Sequence, residues 1–165
     1  MLKKLLFLTC SLLSISFLLP AQSSYWTPTA SLPTDLPTEA QREIVPTQFK
    51  TFAFDQQQLQ AVLANAPSET SQQSQTGVRV LLPTPEGAFM AFEVYETFNM
   101  EPGLAARFPQ IRSYAGFGGK NGNWYTRFDV SPNGFHGVMR TPTGKVYIAP
   151  FATEQTKYHN SFYAA

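Results

Sequence analysis

Trp124-Tyr-Thr-Arg-Phe-Asp-Val130, Ser131-Pro-Asn-Gly134, Phe135-His-Gly-Val-Met-Arg140, Thr141-Pro-Thr-Gly144 and Lys145-Val-Tyr-Ile-Ala149 follow one another without a break. Three β-branched and aromatic runs separated by two Pro-x-Gly turns spell consecutive antiparallel hairpins. Within them Phe128 and Val130 alternate with Arg127 and Asp129, so one face of the strand makes core and the other meets solvent. The same grammar extends upstream through Val78-Arg-Val-Leu-Leu82, Ala88 to Glu96 and Ile111-Arg-Ser-Tyr114, with turns at Pro85-Glu-Gly87 and Lys120-Asn-Gly122. It extends downstream to Tyr158-His-Asn-Ser-Phe-Tyr163. The fold expected is mainly β, a β-rich α+β chain: an antiparallel meander or sandwich-like sheet with one or two short helices.

Before the meander, Thr47 to Asp55 alternates as a first strand, and Asp55 caps a helix whose apolar positions Leu59, Val62 and Leu63 follow helical spacing up to Asn65-Ala66-Pro67. Ser68 to Gly77 is polar and low in complexity, so a mobile loop is expected there. Pro102 in a first turn, with Gly-Leu-Ala-Ala-Arg-Phe up to Pro109, places a second short helix between strands. Gly116-Phe-Gly-Gly119 reads as a hairpin or bulge and is not followed by the helix start that phosphate cradling needs.

The N-terminus has the form of a secretory signal: Lys3 and Lys4, an apolar run from Leu5 to Leu19, then Pro20-Ala21. That run is shorter than the roughly 20 residues of a membrane span. The expected organisation is a signal peptide over 1–21, a flexible or extended Pro/Ser/Thr-rich leader over 22–46, and a β-rich domain over 47–165, in a secreted protein. Cleavage after Ala21 removes Cys10, the single cysteine, leaving no disulfide and no thiolate. A net charge of +1 with scattered Lys and Arg argues against nucleic acid or an anionic membrane as partner.

Catalytic chemistry finds little to work with. His136 and His159 are far apart in separate strands and lack a His-Glu-x-x-His frame, so no metal or other cofactor is expected. Neither Glu93 with Glu96 nor Glu101 with Asp129 is arranged around a substrate, and no serine sits in a Gly-x-Ser-x-Gly elbow. A non-enzymatic binding role is the expectation. Arg127, Asp129, Phe135, His136 and Tyr147 are the candidate partner-binding residues. Arg127 and Asp129 can alternatively serve a structural ion pair, and Trp124, Tyr125, Tyr147, Phe151 and Tyr158 either build core or line a sugar-binding face.

Five phrases stand in order along the chain: Val80-Leu-Leu-Pro-Thr-Pro-Glu-Gly87, Phe92-Glu-Val-Tyr-Glu96, Met100-Glu-Pro-Gly-Leu-Ala-Ala-Arg-Phe-Pro-Gln-Ile-Arg-Ser-Tyr-Ala-Gly116, Arg127-Phe-Asp-Val-Ser-Pro-Asn-Gly-Phe-His136 and Val146-Tyr-Ile-Ala-Pro-Phe151. Together, over Phe49 to Tyr163, they resemble the N-terminal propeptide of secreted bacterial reprolysin-like (ADAM-type) zinc metalloproteases. The resemblance implies a domain that masks or helps to fold such a protease, with the protease catalytic domain as partner. It carries no catalytic or metal residue onto this sequence, because the zinc helix is absent, and the cysteine that occupies zinc in many animal relatives is absent too. A free-standing secreted β-sheet module for a glycan or protein partner is the alternative.

Overall fold

A computed structural model describes residues 25–72, 75–98 and 100–164. The expected signal peptide, and Cys10 within it, lie outside these residues. The fold is mainly β. Among the described residues the nine strands are β1 (Trp26–Pro28), β2 (Phe49–Phe54), β3 (Val78–Pro83), β4 (Phe89–Thr97), β5 (Arg112–Gly118), β6 (Trp124–Ser131), β7 (Gly134–Thr141), β8 (Gly144–Pro150) and β9 (Tyr158–Tyr163). They form one antiparallel sheet in the order β1-β2-β9-β8-β7-β6-β5-β4-β3. From β3 to β9 each strand pairs with the next, which is the meander anticipated from the turn spacing. The hairpins turn where a proline fixes the first corner and the following glycine accepts a positive φ, 100° at Gly134 and 127° at Gly144.

The sheet curls until its two ends nearly meet. Leu81 on β3 donates its N–H to the Tyr25 hydroxyl at 2.7 Å, and Ser161 on β9 donates its hydroxyl to the Pro83 carbonyl at 2.9 Å. Inward side chains fill the space enclosed: Trp26, Phe52, Phe92, Tyr114, Phe128, Phe135, Met139 and Ile148 are all buried in one cluster. Tyr114 stacks on Phe128 at 5.3 Å, and Phe128 on Phe135 at 4.9 Å. Burial raises the Tyr114 hydroxyl to about 12, so it stays neutral at any ordinary pH.

Helix α1 (Gln56–Leu63) begins where the Asp55 carboxylate accepts the Gln58 N–H at 3.0 Å. It presses Leu59 and Leu63 into the core, while Gln56 reaches the Ser131 carbonyl beside the β6–β7 turn. Helix α2 (Pro102–Arg107) lies between β4 and β5 and buries no side chain. Ser68 to Gly77, expected as a loop, holds one 3₁₀ turn at Glu69–Ser71 and a bridge from Ser68 to Glu96. Gly116 to Gly118, read as a hairpin or bulge, instead extends β5. There is a steric reason for glycine at that point, since a Cβ on Gly116 would collide with the Glu93 carbonyl oxygen on β4.

Residues 25–46, expected as a leader, contribute β1 to the sheet and beyond it hold a turn closed by the Ala40 N–H on the Pro37 carbonyl. Pro28 suits β1 because, among the described residues, this strand is an outer edge with no second partner to receive an N–H. Trp26 is wholly buried, so the packed fold starts before Thr47. Further along, the Lys157 ammonium and Tyr158 hydroxyl both donate to the Asp35 carboxylate, at 2.6 and 3.1 Å. Among the described residues no helix is long and apolar enough to cross a membrane.

Candidate functional site

Period-2 alternation sends Phe128, Val130, Phe135, Met139, Val146 and Ile148 inward and places their neighbours on the outer face. Strand register then sets those neighbours side by side. Asp129 on β6 lies opposite His136 on β7; Arg127 lies opposite Val138, which in turn faces Tyr147 on β8. Four of the five candidate residues therefore share one outward surface across three consecutive strands. Phe135 does not: it is fully buried against Phe128, Trp26 and Phe54, and it reaches no partner while the fold is intact. The physical reason is adjacency, because neighbouring residues on a strand point to opposite faces, and outward His136 commits Phe135 to the interior.

The Asp129 carboxylate accepts a very short hydrogen bond from the Ser113 hydroxyl on β5. Among the described residues the ion pairs are Arg112 with Glu96 and Lys157 with Asp35, so neither Arg127 nor Asp129 forms the ion pair with a neighbouring strand that the sequence allowed. Arg127 is exposed, and Tyr147 is exposed along one side while stacking on Phe162 at 5.9 Å.

His136 opens into a cleft of about 570 Å³. Glu43, Ile44, Ala149 and the loop from Ala152 to Thr156 line it together with His136. Partial enclosure pulls the His136 pKa below the usual imidazole value, against the opposing influence of Asp129 and Glu43. The ring is therefore neutral at pH 7. His159 points to the other side of the sheet, where burial pushes its pKa down to about 3. The two histidines cannot share a ligand, and among the described residues no group of three His, Cys, Asp or Glu is placed to hold a metal ion.

The cleft's walls are held together across the chain. Gln41 and Thr153 exchange two hydrogen bonds, Gln41 N–H to the Thr153 hydroxyl at 3.0 Å and Thr153 N–H to the Gln41 carbonyl at 2.9 Å. Beside them the Arg42 guanidinium lies over Phe151 at 4.4 Å and Phe49 at 5.3 Å. Gln155 stiffens the loop by donating to the Ala152 and Tyr158 carbonyls and accepting from Tyr158 N–H. These contacts hold Glu154 at φ 54°, a left-handed conformation that non-glycine residues seldom adopt.

Sequence reasoning missed Arg42, Glu43, Ile44 and the 152–156 loop. The Pro-rich composition of the leader gave no local sign of docking, and the pairing joins segments remote in sequence. Arg42→Ala is expected to cost about 1–2 kcal/mol of stability through lost ring contacts. Limited proteolysis should then cut residues 29–46 faster than in the parent chain, and an unchanged cleavage rate would remove Arg42 from this role.

The sequence matches no family model, and comparison with curated proteins and with solved structures returns no match.

Proposed function

We propose that this chain is a secreted, non-catalytic docking domain that masks, and assists the folding of, a reprolysin-like zinc metalloprotease. The observation that carries the reading is the common outward face of Arg127, Asp129, His136 and Tyr147 beside the Glu43–Ile44 cleft, on a barrel whose interior is filled by its own side chains. The ordered phrases that resemble a protease propeptide supply the partner.

Docking by this face suits the fold better than strand addition at an edge. The β3 edge is occupied at Leu81 by Tyr25, and β1 has only three residues, one of them Pro28 without an N–H. Masking needs only modest affinity when partner and mask share one polypeptide, because tethering supplies an effective concentration of about millimolar. The central aromatic and arginine, Tyr147 and Arg127, are the side chains expected to contribute most to such a contact.

Purified protein added to a reprolysin-like protease from the same organism is expected to lower its activity and raise its refolding yield. Tyr147→Ala or Arg127→Ala should weaken the effect about tenfold. Unchanged protease activity together with unchanged refolding yield would overturn the proposal. A second reading, a free-standing module for a glycan or protein partner, is favoured by the outward pair Phe117 and Tyr125, whose rings lie 5.5 Å apart with Phe117 well exposed.

A further inference from the structure

Next to the shared face, on the side away from the cleft, the strands place cations together without carboxylate partners. Arg140 and Lys145 lie directly opposite each other across the β7–β8 hairpin. On its other side Arg140 faces Tyr125, and Tyr125 faces Phe117. Arg127 and Tyr147 follow Tyr125 and Lys145 by two residues, so they continue the same surface in the adjoining row. Arg127, Arg140, Lys145, Phe117 and Tyr147 are all exposed.

Like charges directly opposed on a sheet destabilise it. Here the repulsion is left uncompensated, since among the described residues the ion pairs are Arg112 with Glu96 and Lys157 with Asp35. Glu93, the carboxylate in the same row, lies beyond Phe117 and is already accepting the Gly77 N–H at 3.1 Å and the Tyr95 hydroxyl at 2.6 Å. A sheet that keeps two unneutralised cations face to face, with aromatic rings beside them, is suited to an anionic ligand that also has apolar faces.

We propose that this row binds an acidic polysaccharide, with carboxylate or sulfate groups on Arg140, Lys145 and Arg127 and sugar rings against Phe117, Tyr125 and Tyr147. The guanidinium forks match planar or tetrahedral oxyanions, and the C–H faces of pyranose rings pack on exposed aromatic rings. Nucleic acid fits less well. Three cations on a protein of net charge +1 would neutralise few phosphates, whereas strand-spaced charges about 5 Å apart suit single anionic groups along a sugar chain. This gives the second reading above a site and a ligand class; Arg127 and Tyr147 are shared with the proposed protease contact, whereas Arg140, Lys145 and Phe117 belong to this site alone.

The test is retention of the purified protein at low salt on an immobilised polyuronate, on dextran sulfate, on neutral dextran and on single-stranded DNA. Retention on one or both acidic glycans, released by added salt, is expected, and the two columns distinguish carboxylate from sulfate. Arg140→Gln with Lys145→Gln should weaken retention at least tenfold while leaving the melting temperature unchanged or raised, because the repulsion is removed. A purely structural pair would lower it. Phe117→Ala should weaken retention without altering its salt dependence. Absence of retention on both acidic glycans, equal retention on neutral dextran, tighter binding to DNA, or retention undiminished by the double substitution would each overturn the proposal. Neutral-dextran binding alone would still leave the broader glycan reading standing.

Discussion

The folded protein is expected to lose stability steadily as the pH falls below 6.5, with His159 as the main cause. This ring is wholly buried among Trp26, Phe54 and Phe135, with centroids at 5.5, 4.8 and 6.4 Å. Its Nε2 accepts the Phe135 N–H at 3.0 Å, so that nitrogen carries no proton and Nδ1 must. Among the described residues Nδ1 has no hydrogen-bond partner. Burial, helped by nearby His136, lowers the pKa from 6.5 to about 3. The unfolded chain thus takes up a proton near 6.5 and the folded chain does not until about 3. Stability is full above that window, falls within it by up to about 1.4 kcal/mol per pH unit, and levels off below. His136, whose pKa is also lowered, acts in the same direction, and the lowered carboxyls of Asp35 and Glu86 add their own loss at more acid pH. Urea unfolding at a series of pH values separates these contributions. His159→Gln keeps an acceptor for Phe135 and should flatten most of the slope between pH 6.5 and the carboxyl range, whereas His136→Gln should flatten only a small part. A parent protein with no slope in that range, or one retained in full by His159→Gln, would contradict the burial argument.

How much of this was legible in the sequence depends on distance along the chain. Strands β3 to β9 could be read because each carries its own alternation and every connection except that between β8 and β9 its own Pro or Gly; α1 could be read because Asp55, Leu59 and Leu63 signal within two turns. The outward surface was half legible. Alternation alone was enough to exclude Phe135 once His136 was taken as outward, and the Pro142-Thr143-Gly144 turn was enough to set Arg140 against Lys145. What could not be read were contacts decided by closure of the whole sheet. The Gln41–Thr153 pairing, the Arg42 sandwich and the Tyr25–Leu81 seam each join segments that no local pattern connects. The cleft is built almost entirely from such contacts.

Trp26→Ala is expected to cost about 3–5 kcal/mol, a large part of the roughly 5–15 kcal/mol that holds a domain of this size together. The indole stacks on Phe54 at 4.2 Å and meets Phe52 and Phe135 edge to face at 6.4 and 5.3 Å, so truncation opens a void where four rings converge with little room to collapse. Signal cleavage after Ala21 would leave this residue in the mature chain, whereas a chain starting at Thr47 would lack both Trp26 and the Tyr25 hydroxyl that closes the seam. Such a chain should melt far lower than the longer one, or fail to fold, and the Trp26→Ala variant should fall between them. Equal melting temperatures would show that residues 25–46 are only a tether. The placement also separates two consequences of cutting the connection between β1 and β2. A nick near Ile44 frees the Glu43 and Ile44 lining of the cleft, yet β1 stays seated by Trp26 and its register with Phe54. Nicked protein should therefore keep most of its stability while losing the contacts that depend on Glu43 and Ile44, and calorimetry of the nicked and intact forms reads the two effects apart.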